Sequence, residues 1–386
     1  MIVGRCSQWH IRNDGRGLIP RNRSLLLLLV LAVSVTGPSV IALQKPDVKS
    51  NLSENRKVEL GRALFFDKRL SEDGTVSCAA CHDPASAFAS GETVAIGVRE
   101  RKGTRNAPTL LNSNLSKSYF WDGRAATLEQ QARQPLLSAS EMGIKDEATL
   151  VARVSAIDEY RQSFRRIFPR DGITIDTIAN AIATFERSLV SRDAAFDRFI
   201  AGDKNAISEI QKEGWELFKG KAKCLDCHTH SATAPLFTDA KFHNTGIRAK
   251  ESTFEALSRR ADDVKKMTSS PASLAHDPQF SDLGRFLVTR DAKDLGAFKT
   301  PTLRDVELTG PYMHDGSIRT LLDVLRFYNQ GGVKNPMLDE KMVPLNLSEH
   351  EMNAIVEFLR ALTSDDTLRL VQSSKPQTRT AVPVAR

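Results

Sequence analysis

The sequence predicts a mostly α-helical fold of two small domains that repeat one pattern. The pentapeptide Cys-x-x-Cys-His occurs twice, at residues 78–82 and 224–228. A short amphipathic segment of the form Gly-x-x-Leu-Phe precedes each copy, beginning at Gly61 and at Gly214. Residues 150–200 have helical periodicity, and no long stretch of the sequence has the alternation that is typical of strands. We therefore expect two helical domains whose long loops surround the pentapeptides.

The pentapeptide is the attachment pattern of c-type haem, in which two thiols form thioethers and the adjacent histidine binds iron. The thiols are those of Cys78, Cys81, Cys224 and Cys227. The alternative is a zinc site made of four thiolates. Zinc-binding cysteine pairs usually lie closer in sequence, and the adjacent histidines would have no role in such a site. The sequence thus predicts two covalently bound c-type haems, each wrapped by a cytochrome c-like domain.

The first 42 residues have the pattern of a secretory signal peptide. Five arginines precede a short apolar run at residues 25–33. This run is shorter than the roughly 20 residues that span a bilayer, and an uncleaved anchor extending to Leu43 is the alternative. Cleavage near Ala42 would also remove Cys6, so that haem attachment would use every cysteine of the mature chain. We expect export to the periplasm, because bacteria complete covalent haem attachment outside the cytoplasm.

The charge of the chain argues against a nucleic-acid-binding protein. The formal net charge is +7, but residues 1–42 contain five Arg and one Asp. The remaining 49 basic and 46 acidic residues give about +3, a balance unlike the clustered basic face of nucleic-acid-binding domains.

The predicted division of the chain follows from these signals. The leader is followed by an N-terminal haem domain at residues 43–203 and a C-terminal haem domain at residues 204–363. The polar residues 201–205 are the expected linker. Residues 364–386 are rich in Ser, Thr, Pro and basic residues, and we expect them to form a flexible tail.

Several runs resemble the bacterial di-haem cytochrome c peroxidases and their relative MauG. The similarity covers about residues 50–362. The runs that carry it are Leu-Gly-Arg-Ala-Leu-Phe-Phe at 60–66, Arg-Asn-Ala-Pro-Thr at 105–109, Phe-Trp-Asp-Gly-Arg at 120–124, Phe-Lys-Thr-Pro-Thr-Leu-Arg at 298–304 and Gly-Pro-Tyr-Met-His-Asp-Gly at 310–316.

The resemblance assigns peroxide chemistry to the first haem, whose expected proximal ligand is His82. Glu141 lies twenty residues after Trp121 and matches the family's catalytic carboxylate, which moves a proton between the peroxide oxygens. Gln131 lies ten residues after Trp121 and matches the family's glutamine, which could hydrogen-bond bound peroxide. The alternative places Glu141 in a solvated loop and Gln131 on an exposed helix face, since isolated Glu and Gln are usually exposed.

Trp121 has two compatible interpretations. A Trp beside Phe120 is an ordinary anchor of an apolar core. By resemblance, Trp121 lies between the two haems and carries electrons across the gap. A rigidly packed indole suits both roles, and we expect the relay.

One departure from the family concerns the distal side of the first haem. Many of these peroxidases have a histidine sixteen residues after the proximal histidine, where it blocks the iron until the other haem is reduced. That position is Val98 here, and residues 95–99 contain no side chain that binds iron. We therefore expect the first haem to be five-coordinate and high-spin in the resting protein.

A second departure concerns the other haem, whose expected proximal ligand is His228. The usual distal ligand in the peroxidases is a Met, which raises the reduction potential. The family's spacing points here to Tyr328, and MauG has a Tyr at this position. Tyrosinate is a hard anionic donor that would lower the potential, although Tyr328 could also be a core residue of its helix. Met342 is the competing ligand, with Met337 as a weaker one.

The resemblance also implies a calcium ion between the haems, held mostly by backbone carbonyls and waters. The matching positions are Asn106, Thr309 and Pro311, and oxygen ligands suit calcium. His314 is expected to bond a haem propionate or to pack near the second haem, with iron ligation as the alternative. The other histidines match no motif, and we expect surface or structural roles for His230, His243, His276 and His350.

The resemblance implies an oxidoreductase that reduces hydrogen peroxide at the first haem with electrons relayed through the second. A small cytochrome c or a cupredoxin would supply the electrons, and a homodimer is an expected assembly. One alternative is a MauG-like enzyme that oxidises side chains of a partner protein. Another is a cytochrome that only carries electrons or senses a ligand.

Overall fold

The computed structural model describes residues 48–231, 235–249 and 251–375. The predicted leader lies outside these residues. The helices are α1 (Val48–Phe66), α2 (Cys78–Cys81), α3 (Leu128–Leu137), α4 (Glu147–Ser155), α5 (Asp158–Ile167), α6 (Ile175–Ser188), α7 (Ala195–Ile200), α8 (Glu209–Lys219), α9 (Glu251–Lys265), α10 (Pro271–Ala275), α11 (Phe286–Thr289), α12 (Leu321–Asn329), α13 (Glu349–Arg360) and α14 (Asp365–Ser374). The two short strands β1 (Phe242–His243) and β2 (Phe298–Lys299) pair antiparallel. The prediction of a mostly α fold is confirmed.

Side-chain caps fix where the helices that carry site residues begin. The hydroxyl of Thr127 accepts the amide of Gln130 at 3.2 Å and starts α3. The hydroxyl of Thr320 accepts the amide of Asp323 at 3.1 Å and starts α12. Each cap satisfies an amide that the first helical turn leaves unpaired. The caps thereby set the register that places Gln131 on α3 and the tyrosine on α12.

The repeated Gly-x-x-Leu-Phe segment forms the same helix crossing in both halves. A Cβ atom on Gly61 of α1 would lie 1.9 Å from the carbonyl oxygen of Ala181 on α6. A Cβ atom on Gly214 of α8 would lie 1.9 Å from the carbonyl oxygen of Ala354 on α13. The two helices of each pair approach so closely that only a hydrogen fits between them. The sequence repeat therefore corresponds to a repeated packing contact.

We expect Gly61→Ala and Gly214→Ala each to destabilise the protein by about 2 kcal/mol or more, because the added methyl group forces two packed helices apart. Thermal unfolding of the haem-loaded protein measures the loss. Gly91→Ala is the matched control, since its Cβ would meet only the hydroxyl of Ser86 at 3.1 Å. A melting temperature unchanged by both interface substitutions would contradict the packing argument.

The buried apolar side chains of the described residues form three clusters within one compact unit. The first cluster draws most of its members from the first half, and Phe65 and Phe164 are among its fully buried residues. The second surrounds Phe196, Phe218 and Phe358. Phe196 precedes the expected linker, yet it packs with the second cluster. The division at residue 203 remains a prediction.

A third cluster belongs to residues 251–297, which we call the bridging segment, together with Ala249. Four hydrogen bonds of the described residues tie this segment to residues 104–123 of the first half, and Arg285 donates two of them, to the carbonyls of Asp122 and Gly123. The hydroxyl of Thr104 donates to the carbonyl of Ala275 at 2.7 Å. Arg105 donates to the carbonyl of Ser281 at 2.7 Å, and Arg285 donates to the carbonyl of Asp122 at 2.9 Å.

The expected flexible tail is wrong for its first part. Residues Asp365–Ser374 form α14, whose N-cap Ser364 is buried and accepts the amide of Thr367 at 3.1 Å. Val371 is buried in the first apolar cluster, and Leu370 packs against it. The apolar residues within this polar stretch pack against the first apolar cluster, a contact that the composition of the stretch does not indicate. Residues 376–386 lie outside the described part of the chain.

In the described part of the chain, no helix has both the length and the apolar character needed to cross a membrane.

Candidate functional site

Both pentapeptides line one cavity of about 740 Å³. The cavity runs between the two halves of the sequence and is bordered by the loops that follow each motif. All four motif cysteines line it, and so do both motif histidines. The other predicted site residues that line it are Asn106, Trp121, Gln131, Glu141, Thr309, Pro311, Tyr328 and Met342. The structure therefore brings together residues that are widely separated in sequence.

The two motif histidines are held in the same way. The ring Nδ1 of His82 lies 3.2 Å from the carbonyl oxygen of Phe88. The ring Nδ1 of His228 lies 2.8 Å from the carbonyl oxygen of Phe237. These contacts fix Nδ1 as the protonated nitrogen and leave Nε2 free to bind a metal. Burial lowers the pKa of both imidazoles, although the backbone carbonyls partly offset it. Each histidine is thus prepared as a neutral ligand.

Glu141 and Gln131 present buried polar atoms that lack partners. Glu141 Oε2 and Gln131 Oε1 are both buried and have no hydrogen-bond partner among the described residues. Such atoms are costly to bury, because they lose their hydrogen bonds to water. Both residues border the cavity that also contains His82. These atoms are therefore available to a bound polar ligand or to a neighbouring side chain that moves toward them.

Val98 helps to hold the loop that carries Glu141. The Val98 side chain is fully buried, and its amide donates to the carbonyl of Glu141 at 2.8 Å. A Cβ atom on the preceding Gly97 would lie 2.1 Å from the carbonyl oxygen of Ser140. The backbone of residues 97–98 therefore packs directly beneath the Glu141 loop. Val98 is not among the residues that line the cavity.

Contacts on several sides hold Trp121 in place. Its indole Nε1 donates to the carbonyl of Asn106 at 2.8 Å, and its own carbonyl accepts the amide of Lys299 at 2.8 Å. The indole meets the ring of His314 edge to face, with centroids 6.5 Å apart. Asn106 also donates its amide to the carbonyl of His314 at 2.8 Å. The indole is therefore rigid, as an electron relay would require.

A buried ion cluster flanks Trp121. Asp122 is fully buried and pairs with Arg105 at 2.7 Å and with Arg124 at 3.0 Å. Burial would raise the pKa of Asp122, but the two guanidinium groups outweigh burial and hold the pKa below its usual value. Arg124 also lies over the ring of Phe120, 3.5 Å from its centroid. The cluster locks the chain on both sides of the indole.

His314 is buried and stacks on Phe298, with ring centroids 3.5 Å apart. Its Nε2 has no hydrogen-bond partner among the described residues. Burial lowers the pKa of His314 well below its usual value, so the ring is neutral at pH 7. An unpaired ring nitrogen at the cavity wall fits the expected bond to a haem propionate.

Both candidate distal ligands of the second haem reach the cavity. Tyr328 on α12 and Met342 line it, whereas Met337 does not and is 36% exposed. Burial raises the pKa of the Tyr328 phenol, and Cys227 and Cys224 add to the effect. Met337 is therefore excluded as a distal ligand of the second haem, and Tyr328 and Met342 remain as the alternatives.

His276 was missed as a site residue because no motif surrounds it. It follows α10 in the bridging segment, and its Nε2 lies 3.7 Å from Glu141 Oε2. Only the tertiary structure shows that His276 lies near Glu141, because the hydrogen bond between Thr104 and Ala275 attaches the bridging segment to the first half of the chain. Glu186 on α6 also escaped notice: it is buried at the cavity wall, and burial raises its pKa to about 8.

His243 also has a specific environment. Its ring nitrogens lie 2.6 Å from Asp339 and 3.0 Å from Asp239. The neighbouring Cys227, as a free thiol, and then the two carboxylates raise the pKa of His243 to about 10. Cys227, Asp239 and His243 lie close enough to hold a metal ion. Thioether formation would remove the Cys227 thiolate from such a set, so we interpret the group as structural.

The residues of the cavity fit two c-type haems. Each pair of thiols lies within one helical turn of a histidine, because the His82 and His228 amides donate to the Cys78 and Cys224 carbonyls. The Nε2 atom of each histidine is free to bind iron. Six buried side-chain atoms of the lining residues lack hydrogen-bond partners in the described part of the chain, namely Arg105 Nε, Ser113 Oγ, Gln131 Oε1, Glu141 Oε2, Glu186 Oε2 and His314 Nε2. Thioethers, iron ligands and polar contacts to a haem or its ligand would account for these groups.

Comparison with known proteins agrees with this geometry. The family model described as di-haem cytochrome c peroxidase matches residues 55–205. The methylamine utilization protein MauG of Methylophilus methylotrophus is 37% identical over 345 residues, which are 88% of this chain and 93% of that protein. The cytochrome c551 peroxidase of Nitrosomonas europaea is 34% identical over 345 residues, covering 88% and 90% of the two chains.

A solved structure points to the same family. The crystal structure of a MauG-like protein associated with microbial copper homeostasis has a TM-score of 0.68 and 33% sequence identity, and the match covers 81% of this chain and 91% of that one. The chain therefore belongs to the di-haem cytochrome c peroxidase and MauG family, as an oxidoreductase with two c-type haems.

Proposed function

We propose that the protein reduces hydrogen peroxide on the cavity side that faces Glu141, with electrons that arrive from the side of His228. The observation that carries this proposal is the convergence of the Glu141 carboxylate and the Gln131 amide on the cavity that contains His82, where Gln131 Oε1 is buried without a hydrogen-bond partner among the described residues. When bound, the haems would supply peroxide cleavage and storage of oxidising equivalents. Each peroxide consumes two electrons and two protons and yields two waters.

The protein's own residues would guide that reaction. The Nε2 atoms of His82 and His228 would hold the two irons. The Glu141 carboxylate would accept a proton from the nearer peroxide oxygen and return it to the departing oxygen. The Gln131 side chain would orient the peroxide by a hydrogen bond. Trp121, pinned by Asn106, would pass electrons between the two halves.

The electron donor would be a small cytochrome c or a cupredoxin, in the periplasm to which the leader would direct the chain. A calcium ion would bind at Asn106, Thr309 and Pro311. The amide of Asn106 bonds the carbonyl of His314, which supports the closeness of these segments. The assembly would be a homodimer.

A MauG-like function is the second candidate, favoured by Val98 at the distal position and Tyr328 at the cavity wall. In that case the electrons would come from side chains of a partner protein. The same cavity would serve both functions, because both begin with peroxide at Glu141. Only the source of the returning electrons differs.

The test mixes the haem-loaded protein with hydrogen peroxide, with and without a reduced small cytochrome c. A peroxidase should oxidise the cytochrome over many turnovers. A MauG-like enzyme should instead form a peroxide-oxidised state that persists without donor and absorbs in the near infrared. Two low-spin haems that do not react with peroxide would overturn the proposal and indicate an electron carrier or a sensor.

A further inference from the structure

The bridging segment brings a histidine to the Glu141 carboxylate. His276 caps the C-terminal end of α10, and its Nε2 lies 3.7 Å from Glu141 Oε2. Its Nδ1 lies 3.3 Å from the hydroxyl of Ser140, the neighbour of Glu141 in the chain. Both ring nitrogens therefore face the loop that carries Glu141. Both His276 and Glu141 line the cavity.

The placement of His276 is built into the fold. The residue before it, Ala275, is buried, and its carbonyl accepts the hydroxyl of Thr104 at 2.7 Å. Further along the segment, Arg105 bonds the carbonyl of Ser281 at 2.7 Å. These anchors lie on both sides of the imidazole in sequence. They restrict its movement relative to the first half of the chain.

Glu141 needs a partner on this side. Its Oε2 is buried and has no hydrogen-bond partner among the described residues. The other charged groups that act on the imidazole are Arg124, Arg105 and Asp122, which already bond one another in the buried ion cluster. A side-chain shift of less than 1 Å would bring His276 Nε2 from 3.7 Å into hydrogen-bond range of Glu141 Oε2. His276 is therefore the available donor.

The protonation state of the ring suits this role. Burial lowers the pKa of His276, and the nearby guanidinium groups of Arg124 and Arg105 add to the effect, against the opposing influence of Glu141. The ring is then neutral at pH 7 and carries one proton. If the Ser140 hydroxyl donates to Nδ1, that proton lies on Nε2 and faces the carboxylate.

We propose that His276 is a positioning residue for Glu141, whose Oε2 it holds by a donated Nε2–H bond so that the other carboxylate oxygen faces bound peroxide. This inference rests on the proposed role of Glu141 in peroxide reduction. It adds a residue from the second half of the sequence to the chemistry of the first haem. It also gives the bridging segment a function beyond packing.

The test uses the haem-loaded full chain and fluoride as the probe. Fluoride binds ferric iron as an anion, and its affinity falls when a neighbouring acid loses its proton. A donated bond from His276 stabilises the carboxylate, so His276→Ala should raise the pH midpoint of fluoride binding by about 0.5–1 unit. His276→Gln retains an N–H donor and should restore most of the shift. This equilibrium measurement does not depend on turnover.

The rate of the peroxide reaction provides a second readout. It should fall about tenfold in His276→Ala and recover to within about threefold in His276→Gln, because a misdirected carboxylate transfers the proton less well. Ser140→Ala removes the support at Nδ1 and should shift the fluoride midpoint in the same direction by less. His350→Gln is the matched control, since His350 pairs with Glu213 at 3.0 Å on the exposed surface.

Two outcomes would overturn the inference. If His276→Ala lowers the melting temperature but leaves the fluoride midpoint unchanged, His276 only holds the fold. If His276→Ala converts a low-spin haem into a high-spin one, His276 is an iron ligand. Glu141→Gln in the same assay separates this inference from the function beneath it. If fluoride binding by Glu141→Gln keeps the pH dependence of the wild type, Glu141 is not the titrating acid and the proposed function itself fails. If Glu141→Gln loses this pH dependence while His276→Ala leaves the fluoride midpoint unchanged, only the positioning role of His276 is overturned.

Discussion

Glu141→Gln should nearly abolish the reaction with hydrogen peroxide while both haems remain attached. The substitution keeps the size of the side chain and removes its ability to accept and return a proton. Positioned acid–base groups typically contribute about 10²–10⁴-fold to a rate, and we expect a loss in this range. Glu141 belongs to neither pentapeptide, so the substitution leaves the four cysteines and two histidines of haem attachment intact.

Rapid mixing of the resting protein with peroxide measures this loss directly. The spectra of both haems before mixing would establish that the variant is correctly loaded. Glu59→Gln on α1 makes the same chemical change at an exposed position and should react like the wild type. Peroxide reactivity in Glu141→Gln within about threefold of the wild type would remove this residue from the mechanism.

Much of the fold was predictable because its signals are local. The pentapeptide places two thiols and a histidine within five residues, and covalent attachment needs that spacing. The repeated segments that begin at Gly61 and Gly214 were visible in the sequence, although neither the helix crossings that they form nor the partner helices α6 and α13 could be identified from it. The mostly α architecture is predicted by the helical periodicity of the apolar residues.

The rest depended on contacts between distant parts of the chain. His276 follows Glu141 by 135 residues, and no motif links them. Their meeting depends on the hydrogen bonds of Thr104 and Arg105 to the bridging segment. Composition also misled at α14, where a few apolar residues in a polar stretch were enough to dock a helix. Local patterns cannot report such long-range packing.

Val98 connects a departure in sequence to the geometry of the proposed site. The family resemblance identified it as the position where a blocking histidine would lie. The structure adds that its amide bonds the carbonyl of Glu141 at 2.8 Å, beside the close contact of Gly97 with Ser140. The backbone of residues 97–98 thus positions the loop that carries Glu141.

The identity of the second haem's distal ligand should produce a large difference between two substitutions. If Tyr328 binds the iron, Tyr328→Phe should raise the reduction potential of this haem by the order of hundreds of millivolts, since axial ligands tune haem potentials over about 0.8 V. Met342→Leu should then change the potential little. If Met342 is the ligand, Met342→Leu should produce the large change instead, and Tyr328→Phe should be nearly silent.

Redox titration of the low-spin haem, together with its near-infrared spectrum, measures both variants. Tyr160→Phe is the matched control, because Tyr160 is a buried tyrosine outside the cavity whose hydroxyl donates to Asp67 at 2.7 Å. Burial raises the pKa of Tyr328, so a tyrosinate there needs the charge of ferric iron to compensate for its lost proton. Ligation by Tyr328 would therefore stabilise the oxidised haem over the reduced one. Unchanged potentials and spectra in both variants would show that neither side chain binds the iron.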